Sequence, residues 1–310
     1  MKSANFEYHR PRKVEDALSL LEKFGDDGKI LAGGQSLMPL MNFRLAQPAH
    51  IIDINFIEGM EYARSDEGVI KIGCLARQSR LLASQIVRER CPLLAEALIY
   101  VGYEQIRNRG TLCGSLAHAD PAAELPAVLL ALDGFVTVQN LRMKREIAAR
   151  DFFQSCLTTS LSKDEMVLEA SIPETPPEAG CSFMEFARRN GDFAIVGVAV
   201  LLAREQEKIA DARIALTGVG DKPWRESSVD QMLVGQKVST DLFAKVGTEI
   251  AARINPDSDI HASESYRRSL ARVLARRALN DAWRKAETKD RAMLESNPPW
   301  QRGIKEDFVG

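Results

Sequence analysis

Two short runs in this chain combine glycine with small hydroxyl residues in a pattern suited to holding an anion. The first is Ala32-Gly33-Gly34-Gln35-Ser36. Paired glycines let the backbone approach a bound group and expose successive N–H donors; Ser36 then opens a helix whose first amides and dipole favour negative charge. The same residues also suit an ordinary strand–turn–helix with a serine cap, and on this segment alone both readings stay open. The second run is Arg109-Gly110-Thr111-Leu112-Cys113-Gly114-Ser115-Leu116-Ala117-His118-Ala119-Asp120-Pro121. It reads as a glycine-containing loop over 107–119, with Asp120 as N-cap and Pro121 in the first position of a helix reaching Leu132. Glu124 falls one turn into that helix. An acid there suits the dipole and can accept a bond from a sugar hydroxyl, although a surface acid at a helix start is commonly nothing more. Two such loops together point to one extended, phosphate-bearing ligand.

Other chemistries lose ground by their missing residues. Gly218-x-Gly220 lacks the third glycine of a dinucleotide fingerprint and runs into Pro223, and Gly25-x-x-Gly28-Lys29 is too short for a P-loop and is followed by Ile30. No G-x-S-x-G elbow and no H-E-x-x-H helix occurs. The histidines (His9, His50, His118, His261) stand near no cysteine at zinc-like spacing. The five cysteines (Cys74, Cys91, Cys113, Cys156, Cys181) are odd in number and form no C-x-x-C pair. Neither a disulfide framework nor a zinc or iron–sulfur centre held by this chain alone is expected, and a reducing cytoplasm is the expected setting. No catalytic residue and no metal ligand is assigned.

The elements that must position the two runs can be read from periodicity. Val14 to Phe24 forms a helix with Val14, Leu18, Leu20 and Leu21 inward. Lys29–Ala32 is a short strand before the first glycine run, and a helix follows through Leu37, Leu40, Met41 and Leu45, ended by Pro48. His50–Ile54, Gly68–Gly73 and Phe135–Gln139 are strands. Gln78–Ala97 is helical with a break at Pro92. The proline-rich stretch from Ser171 to Glu178 marks a domain boundary. Beyond it Ser182–Arg188 and Ala194–Arg204 read as two strands or a strand and a helix, Ala212–Gly218 as a strand, and helices dominate after Ser239. At 310 residues with 45% hydrophobic content the chain is long enough to bury a real core. Its net charge of −2 offers no field for nucleic acid or an anionic membrane. The start of the chain shows no apolar signal region, and the longest apolar or small run, Phe193–Ala203, is well short of the ~20 residues of a membrane span.

Residues 32–45, Ala-Gly-Gly-Gln-Ser-Leu-Met-Pro-Leu-Met-Asn-Phe-Arg-Leu, and 107–124, Arg-Asn-Arg-Gly-Thr-Leu-Cys-Gly-Ser-Leu-Ala-His-Ala-Asp-Pro-Ala-Ala-Glu, resemble the FAD-binding subunit of the molybdenum hydroxylases. This is the family of the carbon monoxide dehydrogenase medium subunit and of xanthine dehydrogenase. The opening Phe6-Glu7-Tyr8-His9-Arg10-Pro11, the segment Arg188-Arg189-Asn190-Gly191-Asp192-Phe193-Ala194 and the late Tyr266-Arg267-Arg268-Ser269-Leu270-Ala271 are similar to it as well. The resemblance covers roughly residues 1 to 285. It implies an α+β fold: a two-lobed FAD-binding domain of the vanillyl-alcohol-oxidase/PCMH type, then a smaller C-terminal sheet-and-helix domain. The lobes would be 1–55 and 56–177, the C-terminal domain 178–286, and 287–310 a charged tail in which Trp300 hints at partner contact.

The resemblance also implies roles. Pyrophosphate contacts fall on Ala32, Gly33, Gly34, Gln35 and Ser36 and on Thr111, Cys113, Gly114 and Ser115; Asp120 belongs to the same site, and the ribose-binding acid is Glu124. Apolar flavin neighbours fall near Val101 and Val167, and the loop from Arg188 to Phe193, with Asp192, lies beside the isoalloxazine. His118 sits where the family packs its cofactor, so packing is preferred to general-base chemistry. Cys113 replaces a family glycine, which costs ~1–2 kcal/mol if its φ must be positive and nothing if it simply packs. Glu124 is one methylene longer than the usual aspartate, and no lysine appears in Phe183–Phe186, where many members carry one. The basic helix Tyr266–Ala286 is by default a solvated face; a docking surface for an acidic partner is the sharper alternative.

The implied role is an electron-transfer subunit. A molybdenum cofactor on a large partner hydroxylates substrate, iron–sulfur clusters on a small partner relay electrons, and FAD on this chain passes them to an external acceptor, in a dimer of heterotrimers. Two alternatives are a self-sufficient FAD-dependent oxidoreductase and a flavin-free scaffold.

Overall fold

The computed structural model describes residues 2–288. The expected tail lies outside them from residue 289 on, Trp300 included.

The first sheet is parallel. β1 (Glu7–His9), β2 (Gly28–Leu31) and β3 (His50–Asp53) pair in the order β1-β3-β2, with α1 (Val14–Phe24) between β1 and β2 and α2 (Leu37–Asn42) between β2 and β3. α1 buries Ala17, Leu18 and Leu21, and its acids stand in the first turn and Lys23 in the last, as the dipole favours. α2 is shorter than its apolar spacing suggests, and Pro48 does not end it. Arg44 takes a left-handed conformation (φ 58°), and the Leu45 amide turns back to the Leu40 carbonyl at 2.9 Å.

A larger antiparallel sheet follows. Its first strands are β4 (Ala63–Asp66) and β5 (Val69–Gly73). Six helices come next: α3 (Gln78–Ala83), α4 (Gln85–Arg90), α5 (Pro92–Tyr100), α6 (Glu104–Arg107), α7 (Leu112–His118) and α8 (Glu124–Ala131). Besides the break at Pro92 there is one at Ser84, whose hydroxyl accepts from the Val87 amide and restarts the helix. The chain then forms β6 (Phe135–Gln139), β7 (Lys144–Ala148), α9 (Ala149–Phe152), the small hairpin β8 (Phe153–Ser155) and β9 (Thr158–Thr159), and β10 (Met166–Pro173). The sheet order is β4-β5-β10-β6-β7.

The third sheet holds β11 (Ala179–Phe186), β12 (Val196–Glu205) and β13 (Lys208–Thr217), all antiparallel; α10 (Ser227–Asp230), α11 (Thr240–Arg253) and α12 (Glu264–Thr288) complete the unit. Both candidate segments beyond the prolines are therefore strands. β12 is apolar on both sides, and the period of two sorts its residues. Val196, Val198, Val200 and Leu202 join a core with α11 and α12, while Ala199 and Leu201 join the main core with α5 and α8. The backbone of α12 crosses β11 so closely that a Cβ on Gly180 would lie 2.0 Å from the Ala282 carbonyl oxygen.

The basic face of α12 is not uniformly solvated. Arg272, Arg276 and Arg277 are exposed. Arg267 turns inward, donating to the carbonyls of Ile195 (2.6 Å) and Gly218 (3.0 Å) and pairing with Asp259. Lys285 pairs with Glu96 of α5 at 2.6 Å and with Asp281 at 2.8 Å.

Candidate cofactor site

The two glycine runs meet. Gly33, just after β2, packs against the second run so tightly that a Cβ would sit 2.5 Å from the Arg109 carbonyl oxygen and 2.7 Å from the Gly110 Cα. Gly34 has φ +72°, a conformation side chains resist, and it turns the chain into α2. Ser36 is not the side-chain cap expected: its backbone is already helical, and its hydroxyl accepts no capping bond. Among the described residues, no backbone carbonyl accepts from the amides of Gly33, Gly34, Gln35 or Ser36.

The carbonyl side of this run is, in contrast, gripped. Asn55 donates through Nδ2 to the Ala32 carbonyl at 2.9 Å, and Gln35 donates to that of Gly33 at 3.1 Å. Arg77, half-buried, donates one arm to the Asn55 side-chain carbonyl and the other to the Arg109 carbonyl, tying the first run to the second. Asp53 accepts from the Asn55 amide and from the Tyr8 hydroxyl. Sequence reasoning missed this brace. Asp53-Ile54-Asn55 after a buried strand is a turn signal that points to Asn55; nothing local marks Arg77.

The second run is not the loop expected over 107–119. α7 occupies it, opened by Thr111, whose Oγ1 accepts from the Gly114 amide at 3.0 Å. A Cβ on Gly114 would come within 2.6 Å of that oxygen, so glycine lets the cap fold down. Gln78, buried, takes the carbonyls here: its amide donates to Gly110 (2.9 Å) and its Nε2 to Thr111 (3.4 Å). Cys113 has ordinary helical backbone, and its thiol packs into the core toward the Ile72 carbonyl (3.7 Å), with burial pushing its pKa well up. The glycine replacement therefore carries no left-handed strain. Ser115 is half-buried on the same helix. His118 lies in its last turn, half-buried, and burial lowers its pKa. Ala119 supplies the left-handed stop, φ 52°.

Asp120 does not cap the next helix. α8 begins only at Glu124, and Asp120 instead accepts from the Ala122 amide (2.9 Å) in a local turn. The third sheet holds that turn: Thr217 donates its hydroxyl to the carbonyls of Pro121 (2.7 Å) and Ala123 (2.8 Å), and Gly218 donates its amide to Pro121 (2.8 Å). Glu124 is not a surface acid. It is buried, and burial pushes its pKa to about 7. Glu185 of β11, pushed up to about 8 by burial and by the charge of Glu124, has an Oε2 that is buried and unpartnered among the described residues. Two carboxyls from separate parts of the chain thus share one environment.

Val101 ends α5, half-buried against the main core, and the Arg107 guanidinium donates to the carbonyls of Val101 (3.0 Å) and Gly102 (2.8 Å). The loop carrying Asp192 packs beside this bend, since a Cβ on Gly191 would fall 2.9 Å from the Tyr103 ring. Val167 is buried in β10 opposite Val138, inside the sheet rather than on a loop.

Free amides at a glycine turn and a capped helix start packed against it fit a diphosphate, and the orphaned carboxyl oxygen of Glu185, beside Glu124, fits a hydroxyl-bearing sugar. Known proteins agree. Residues 4–175 match the family described as "FAD binding domain in molybdopterin dehydrogenase", and residues 181–282 match "CO dehydrogenase flavoprotein C-terminal domain". The chain belongs to the FAD-binding subunits of the molybdenum hydroxylases. It is 39% identical over 294 residues to the 6-hydroxypseudooxynicotine dehydrogenase complex subunit alpha of Paenarthrobacter nicotinovorans, covering 94% of this chain and 99% of that one. It is also 39% identical to caffeine dehydrogenase subunit beta of Pseudomonas sp. (strain CBB1), covering 90% and 95%. Among solved structures, carbon monoxide dehydrogenase from Hydrogenophaga pseudoflava superposes with a TM-score of 0.90 at 34% identity, over 92% of this chain and 99% of that chain. As a molybdenum-hydroxylase flavin subunit, the chain combines the FAD-binding domain with the flavoprotein C-terminal domain, and both contribute to the surroundings of Glu124.

Proposed function

We propose that the amides of Gly33 to Ser36, with Ala32 at their edge, and the Thr111–Ser115 turn hold the diphosphate of FAD, and that Glu124 accepts from a ribose hydroxyl. In this reading Val101 and Val167 supply apolar neighbours, Asp120 shapes the turn before Glu124, and the loop carrying Asp192 lies beside the ring. Cys113 contributes its backbone alone, because its thiol belongs to the core. The observation that carries the reading is the closure of Gly33 onto Arg109 and Gly110, which brings the two glycine runs into direct contact.

FAD, when bound, accepts electrons singly and releases them in pairs, joining an iron–sulfur relay to an external acceptor. The residues of this chain bind and orient. Asn55, Gln35, Arg77 and Gln78 occupy carbonyls of both runs, so the unpaired amides of Gly33 to Ser36 remain for the ligand. In the second run the Gly114 and Ser115 amides are already bonded to Thr111. Glu124 and Glu185, with pKa values raised toward and above neutrality, can donate as well as accept near neutral pH. No side chain is needed as acid or base toward the organic substrate. The partners in this reading are a molybdenum-cofactor large subunit and an iron–sulfur small subunit, assembled as a dimer of heterotrimers in the cytoplasm.

The test is to purify the full chain alone and with its partner subunits. The lone chain is expected to carry about one FAD and to leave the organic substrate untouched, with flavin bleaching only when the partners are present. A well-folded, colourless chain that refuses added FAD overturns the reading.

A further inference from the structure

The flavin site does not use a side-chain cluster at the edge of the first sheet. β1 and β3 pair in parallel with Glu7 opposite His50 and His9 opposite Ile52. Alternation places Glu7, His9 and His50 on one face, while Tyr8 points to the other and bonds Asp53. Three ligand-type atoms converge as a result. His9 Nε2 lies 3.1 Å from His50 Nδ1, and Glu7 Oε2 lies 3.4 Å from His50 Nδ1 and 3.9 Å from His9 Nε2. Packing fixes both rings: His50 stacks on Phe24 with centroids 3.6 Å apart and planes 12° apart, and His9 leans on the same ring at 4.9 Å.

Hydrogen bonding alone serves these atoms poorly. Two neutral imidazoles meeting nitrogen to nitrogen share at most one hydrogen, and the Glu7 carboxylate competes for it. One cation among the three uses every electron pair. With metal–ligand bonds of ~2.0–2.2 Å, tetrahedral ligand atoms stand ~3.3–3.5 Å apart, a spacing the three distances straddle. Two imidazoles and a carboxylate select borderline divalent ions over calcium or magnesium, which take oxygen ligands. We propose that Glu7, His9 and His50 bind one zinc-class divalent transition-metal ion that clamps the short edge strand β1 to β3. The clamp stands apart from the flavin reading, although Tyr8, between two of its ligands, leads through Asp53 to Asn55 and the Ala32 carbonyl.

The experiment titrates Zn²⁺ into the full chain, free of any polyhistidine tag, by calorimetry, and follows Cu²⁺ by electron paramagnetic resonance. One equivalent is expected, with two nitrogens in the copper spectrum and a melting temperature that rises until one equivalent of Zn²⁺ is bound. His9→Asn and His50→Asn are expected to abolish binding. Glu7→Gln is expected to weaken it about tenfold or more; Glu7's side chain is 74% exposed, so this variant leaves the fold intact. The proposal fails if none of Zn²⁺, Ni²⁺ and Cu²⁺ binds the parent chain more tightly than the double histidine variant, or if Glu7→Gln binds undiminished.

Discussion

The glycine runs and the β11–β13 unit treat their backbones in opposite ways. In the third sheet each strand of the ladder satisfies its neighbour, both faces are sealed by helices, and the polar groups present, such as Arg267, fill the few carbonyls left over. Around Gly33 and Thr111 the carbonyls are taken by side chains while several amides have no backbone partner. For the proposed FAD site, that asymmetric brace is the useful arrangement. Filling the acceptors holds the loops still without consuming the donors the ligand needs.

The sharpest way to break that contrast is Gly33→Val. Its side chain must displace the Arg109–Gly110 backbone, so the variant is expected to purify without flavin while its circular dichroism stays native; full flavin occupancy would show that the runs need not touch. In the other region, Leu202→Ala empties part of a fully buried core and is expected to cost ~2–5 kcal/mol in urea unfolding. Its folded fraction should still hold flavin normally. A smaller effect is expected for Arg77→Ala, which frees Asn55 and the Arg109 carbonyl together. Losing a charged hydrogen bond of this kind costs ~1.5–3 kcal/mol, read as a ~10–150-fold weaker FAD dissociation constant. Asn55→Ala should be strongly non-additive with it in a double-mutant cycle, because the two act as one brace.

The smallest expected signal is a slope. Glu185 keeps its proton to about pH 8 in the folded chain, whereas the unfolded chain releases it near 4.5. Between those values the folded state binds more protons, so flavin-free stability falls as pH rises, by at most about 1.4 kcal/mol per pH unit for one proton, and levels off above 8. Glu185→Gln should remove the Glu185 part of the slope of the urea midpoint between pH 5 and 8. What remains is the contribution of Glu124 and of other shifted groups such as His118, whose lowered pKa acts in the opposite sense. An unchanged slope would show that Glu185 titrates normally.

Much of the frame was legible along the chain. Helix 14–24 and strand 135–139 follow from simple periodicity, and the flavin-family motifs pointed to both runs. The misreadings share a cause. Gly110 and Gly114 look like loop residues, yet Gly114 serves a helix cap and Gly110 makes room for Gln78. Asp120 and Glu124 carry the right chemistry for a helix start, but Thr217 and Gly218, far along the chain, decide where the helix begins by holding Pro121 and Ala123.

The sequence by itself pointed to a phosphate-bearing ligand, because two runs of glycine beside small hydroxyl residues suit a backbone that donates amides, and its resemblance to the flavin subunits implied FAD. Only the tertiary structure decided which side chains brace those amides, that Glu124 is buried beside Glu185, and that His50 meets Glu7 and His9 across a parallel pair. Those properties depend on where distant segments come to rest: burial sets a carboxyl's proton affinity, and strand register sets which ligands share a face.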